Sequence, residues 1–97
     1  MATMRIRAGD HVRHRPSDEI WVVAFADYDT GDIAWCGWPE GLARIADCDR
    51  IKAASDDEHA QIVAQIILSG GMRAASVKRL YLKGQDIDFS KVAGHAR

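Results

Sequence analysis

Histidine, cysteine, aspartate and serine side chains in this chain could coordinate a metal or attack an electrophile, and their spacing sets what each can do. His11 and His14 with Cys36 and Cys48 contain the two imidazoles and two thiols of a tetrahedral zinc site. Residues three apart on a strand face opposite ways, however, so the two histidines cannot both ligate unless the strand bulges. The cysteines stand singly, with no Cys-x-x-Cys knuckle. A simple hairpin closing at Pro39-Glu40-Gly41 puts Cys36 opposite Arg44 and Cys48 opposite Asp32, apart from each other. Reduced, unreactive thiols are therefore expected, with no metal and no cofactor. Asp27, Asp29, Gly31 and Asp32 resemble the start of a calcium loop, but such a loop needs glycine at its sixth position and a bidentate acid at its twelfth. Those positions hold Asp32 and Trp38, so an acidic hairpin turn is the better description. Cys36 as a nucleophile would make this a small metal- or thiol-dependent enzyme, yet none of the histidines is placed by spacing as its base. The serines lack an elbow motif, and Gly70-Gly71 follows a helical segment where a phosphate loop would precede one.

Two further groupings point to binding. Trp35-Cys36-Gly37-Trp38-Pro39-Glu40-Gly41 places two indoles within four residues beside a turn. Alternation puts Trp35 inside and Trp38 partly outside. Trp38, Tyr28, Asp29 and Glu40 then form an aromatic and acidic rim suited to a basic or aromatic-bearing protein partner. The alternative is a nucleic-acid surface built from Arg13 and Arg15 on a strand and Arg73, Lys78, Arg79 and Lys83 on a helix. The helical register puts Arg79 and Lys83 away from the apolar stripe and Lys78 on its flank, the pattern of an ordinary solvated face.

The elements that position these residues follow from the apolar pattern. The chain has 97 residues, 47% hydrophobic and 28% charged, which is enough for a single domain with one core. No stretch is long and apolar enough to span a bilayer, and the N-terminus lacks the apolar block of a secretory signal, so a cytoplasmic protein without membrane contact is expected. Turn residues recur roughly every 8 to 12 positions between Ile6 and Ile51, the spacing of a small all-β unit. A first strand runs about His11 to Arg15. Ile20 to Ala26 is the strongest, with Trp21, Val23 and Phe25 on one side and Ile20, Val22 and Ala24 on the other, so cover on both faces is expected. Ile33 to Trp38 returns beside it, with Ile33, Trp35 and Gly37 sharing a side, and Leu42 to Cys48 forms a fourth strand. Ser55-Asp56-Asp57-Glu58 is a capping box that starts a helix at residue 56. That helix carries Ile62, Val63, Ile66 and Ile67 and stops at Gly70-Gly71. An apolar face this wide also permits a homodimer. A second helix spans about Arg73 to Lys83, although Val77 to Leu82 also reads as a strand. Ile87 and Phe89 can dock on the body, and residues 90–97 form a loose tail.

Charge is unevenly spread. Residues 1–16 carry a net +3, residues 17–58 a net −8 and residues 59–97 a net +4. With no block of five like charges, internal neutralisation is favoured over convergence into one anion patch.

At Gly9-Asp10-His11-Val12, followed by Glu19 to Ala24 and the turn at 35–41, residues 5–51 resemble small Tudor or KOW-type barrels, which open with a Gly-Asp-x-Val strand. The chain is also similar in flavour to short bacterial and phage proteins. The resemblance implies a non-enzymatic module that binds protein tails or nucleic acid; the helical residues 55–84 have no counterpart in it. The expectation is an α+β fold: a small four- to five-stranded antiparallel barrel-like sheet followed by two packing helices.

Overall fold

A computed structural model describes residues 5–37 and 41–82. Five strands precede two helices: β1 (His11–His14), β2 (Glu19–Asp27), β3 (Asp32–Trp35), β4 (Ala43–Arg44), β5 (Cys48–Lys52), α1 (Asp56–Ser69) and α2 (Gly71–Tyr81). The strands form one antiparallel sheet in the order β4-β3-β2-β1-β5. This is the expected α+β architecture, although the sheet ends in separate edges at β4 and β5, so "barrel-like" describes it only loosely.

The expected fourth strand is divided. Only Ala43 and Arg44 pair with β3; Ile45–Asp47 then make a 3-10 turn, and Cys48 begins β5 beside β1. The hairpin register differs accordingly: Asp32 faces Arg44, and Cys48 faces His14. Cys36 does not face Arg44, because β3 ends at Trp35. A short strand followed by a tight turn lets the chain cross from one edge of the sheet to the other, which a single straight strand could not do.

Two apolar clusters lie on the two faces of the sheet. The first holds Ile6, Val12, Trp21, Val23, Ala26, Ile33 and Cys48. The second holds Ala8, Ala24, Phe25 and Ala34 from the sheet side with Val63 and Val77 from the helices. Simple alternation would keep Phe25 with Trp21 and Val23. Instead the β2–β3 register slips between Val23 and Phe25, Ala24 and Phe25 both turn to the helices, and Ala26 returns to the face of Val23. One unpaired residue in a strand flips the facing of everything after it. The helices cover only the far part of β2: Ala24 is buried, Val22 is half-buried and Ile20 lies 65% exposed.

Helix α1 begins as its capping box requires. Ser55 Oγ accepts from the Glu58 N–H at 3.1 Å, and Glu58 Oε1 accepts from the Ser55 N–H at 2.9 Å. Ile62, Ile66 and Ile67 pack half-buried against the second cluster. Residues 77–81, which also read as a strand, are helical, with Ala74 and Val77 buried. Ile87, Phe89 and residues 90–97 lie outside the described residues.

Candidate functional site

The Gly-Asp-x-Val motif is a structural joint. Gly9 has φ of 93°, and a Cβ there would come within 3.0 Å of Ala54 Cβ, so a bare backbone lets the first turn of α1 approach. Asp10 is only 1% exposed. Its carboxylate accepts from the Ala54 N–H at 2.7 Å and the Arg7 N–H at 3.1 Å, and Arg50 lies 3.7 Å away. Its carbonyl accepts from the Val23 N–H. The carboxylate thus fastens the entry to α1 onto the start of the sheet.

The basic residues are drawn into the acidic middle of the chain. Arg13 donates to Asp18 at 2.7 Å, and Arg15 donates to Asp49 at 2.6 Å and to the Ala46 carbonyl. Arg7 pairs with Asp56, Arg44 with Asp32 and Arg79 with Asp27. Arg79 holds the Asp27 carboxyl below its ordinary range, reinforced by the Asp29 and Thr30 N–H groups and opposed by burial. Arg13 sits across from Ile20 near one end of β2, whereas Arg79 reaches Asp27 at the other. Seven residues of strand, roughly 23 Å, separate these points, so Arg13 and Arg79 do not converge. Arg73 donates to the carbonyls of Trp35 at 2.8 Å and Gly41 at 3.2 Å, gripping the backbone on both sides of residues 36–40. Lys78 is half-buried on α2; Lys83 lies outside the described residues.

Half of the expected rim can be placed. Tyr28 and Asp29 share the β2–β3 turn. The Tyr28 hydroxyl accepts from the Ile6 N–H at 2.9 Å, and the Arg5 guanidinium sits 4.8 Å over its ring, so this ring helps to hold the N-terminal segment. Trp38 and Glu40 lie outside the described residues. Gly37, the residue before Trp38, follows the opposite end of β3 from Tyr28.

An aromatic ladder crosses the sheet on the face away from the helices. His14 stacks on Trp21 at 4.3 Å and Trp21 on Trp35 at 3.8 Å, with interplanar angles of 19° and 10°. The Trp21 Nε1–H donates to Glu19 and His14 shares a hydrogen bond with Ser17. Trp35 is half-buried and packs against the first cluster, close to its expected interior position. The facing of Trp21 and Trp35 was readable from alternation. Their stacking was not, because it depends on the bulged β2–β3 register.

A hollow of about 540 Å³ opens between the α1–α2 turn and the end of β3. Ala24, Cys36 and Gly37 form its sheet side, and Ile66, Met72 and Arg73 its helix side. Met72 is 88% exposed. Burial pushes the Cys36 thiol up, partly offset by Arg73. Burial also raises Cys48, which belongs to the opposite cluster, so the sheet separates the two thiols. Among the described residues no three His, Cys, Asp or Glu side chains gather to hold a metal. No helix among them is long and apolar enough to cross a membrane.

No local signal marks this hollow, because its walls come from β2, the end of β3 and the α1–α2 turn, which only folding brings together. The chain matches no family model, no curated protein and no solved structure.

Proposed function

We propose that this chain is a non-catalytic protein-interaction module of the small Tudor or KOW-like kind, working in the cytoplasm, and that its partner seats an apolar side chain in the hollow beside the α1–α2 turn. The carrying observation is that hollow, about 540 Å³ with Met72 of its lining left in solvent. Its volume lies in the range of ligand pockets, and exposed apolar groups around a concave surface are typical of contact sites. Methionine is flexible and polarizable, so it adapts to the shape of what it meets. Gly37 lines the hollow and is followed in sequence by Trp38, Pro39 and Glu40, of which Trp38 and Glu40 are expected rim residues. Tyr28 and Asp29, at the other end of β3, would make a separate contact.

The non-catalytic part of the reading is supported by what the buried ionisable groups do. Asp10 and Asp27 accept from backbone and arginine groups of the fold, and His59 and Tyr81 bind backbone. Each is used to join elements.

A photo-crosslinking side chain placed at position 72 tests the reading against the same group at Ile51, on the distant β5 edge. Crosslinks to a defined protein from position 72, lost on Ile66→Glu and retained on Tyr28→Ala, are expected. Equal crosslinking from both positions, or indifference to Ile66→Glu in a folded variant, refutes it.

A further inference from the structure

A second hollow, of about 260 Å³, opens at the other end of α2, where Leu80 and Tyr81 meet the N-terminal segment and the end of β2. Ile6, Ala26 and Leu80 line it with apolar surface, together with Tyr28 and Tyr81. Both tyrosine hydroxyls already accept backbone N–H groups, Tyr28 from Ile6 and Tyr81 from Ala8 and Ala26. The hollow falls below the roughly 300–1,000 Å³ of small-molecule pockets, so it suits one or two protein side chains better than a cofactor.

The charge around it is unbalanced. Arg5, Arg7 and Asp29 share the lining. Arg7 is taken by Asp56 at 3.0 Å and by the Ala54 carbonyl at 3.1 Å. Arg5 lays its guanidinium 4.8 Å over the Tyr28 ring and pairs with no carboxylate among the described residues, Asp29 included. A guanidinium beside apolar surface favours an occupant that brings both an apolar side chain and a carboxylate.

The chain carries such a segment close by. Leu82, the last described residue, packs with Leu80 and Tyr81 against the second cluster. Of the residues 83–97 that follow, the acids are Asp86 and Asp88 and the largest apolar side chains are Ile87 and Phe89, in one alternating run. Five residue steps from Leu82 to Ile87 reach at most about 18 Å. A tether this short holds the run at an effective concentration in the millimolar range, so a contact of modest strength suffices.

We propose that this hollow is the seat of the chain's own run Asp86-Ile87-Asp88-Phe89. Ile87 and Phe89 cover Ile6, Ala26 and Leu80. The aspartates, which alternate to the other side of an extended segment, meet the long Arg5 side chain at the rim. The seated run ties the end of α2 to residues 5–7, and an external peptide with the same alternation has to displace it. This seat is independent of the contact proposed beside the α1–α2 turn.

Nuclear Overhauser contacts of the Phe89 ring in the full chain test this, recorded on an equal mixture of differently isotope-labelled copies so that contacts within and between chains separate. Contacts within one chain from Phe89 to the methyls of Ile6 and Leu80 are expected. Ile87→Ser with Phe89→Ser is expected to shift the Ile6, Ala26 and Leu80 amides and to leave those of Ser69 and Met72 in place. Arg5→Glu is expected to weaken the Phe89 contacts, and Asp86→Lys with Asp88→Lys in the same chain to restore them. Phe89 contacts to Ile66 or Met72, contacts only between copies, Met4 in place of Phe89 against Ile6 and Leu80, or no contact at all overturns the proposal. So does indifference of the Phe89 contacts to Arg5→Glu, or of the Ile6 and Leu80 amides to the two serines. Where a variant does not fold, the wild-type contacts decide alone.

Discussion

Arg79 on α2 places its guanidinium 2.8 Å from the carboxylate of Asp27, which is 4% exposed at the end of β2. The acid has its own local work, accepting from the Asp29 and Thr30 N–H groups of the β2–β3 turn. One buried carboxylate therefore closes a hairpin and anchors a helix. Asp27→Ala is expected to destabilise the fold by about 2 kcal/mol, since it leaves turn donors unsatisfied while the half-exposed Arg79 remains hydrated. Because the folded value is lowered, the pair's contribution is complete above the unfolded aspartate value, about 3.9, and fades as pH drops through the folded value. Urea denaturation of wild type and variant across pH 2.5 to 6 should show the two curves converging in acid.

The stack of Trp21 on Trp35 needs the glycine beside it. A Cβ at Gly41 would lie 2.6 Å from Trp35 Cζ2. Gly41→Ala is expected to cost about 1–3 kcal/mol by displacing the indole and to change the near-ultraviolet dichroism of the stacked rings. An unaltered spectrum and midpoint would contradict this account of the packing.

Helix α1 depends on a reciprocal cap between Ser55 and Glu58. Ser55→Ala is expected to lower stability by about 1 kcal/mol. Amide exchange at Glu58 should accelerate ahead of the helix centre, a local fraying that thermal melting alone would not resolve.

The thiols are expected to be slow. Burial raises both Cys36 and Cys48, reducing the thiolate that reacts. Titration with a chromogenic disulfide at pH 8 should label Cys36 more slowly than a free cysteine and Cys48, at 9% exposure, more slowly again. Rapid labelling of Cys36 would reopen the thiol-enzyme alternative.

Much of the architecture was legible because it is locally encoded. The capping box located the start of α1, the β-branched and aromatic run located β2, and the scatter of opposite charges anticipated the pairing of Arg7, Arg13, Arg15 and Arg79 with acids of the middle segment. The candidate site was much less legible. Arg73 read as a surface base, yet it binds two carbonyls flanking residues 36–40, and Tyr28 read as a rim aromatic, yet it holds the Ile6 amide.

The amino-acid order alone marked β1, β2, β3 and the start of α1, since caps, turns and apolar periods act over a few residues. Only the tertiary structure decided that Phe25 leaves the face of Trp21, that Cys48 opens a fifth strand beside β1, and that Cys36, Ile66 and Met72 share a hollow. A bulge of one residue and the choice of strand partner are set by long-range packing, and neither leaves a local mark in the chain.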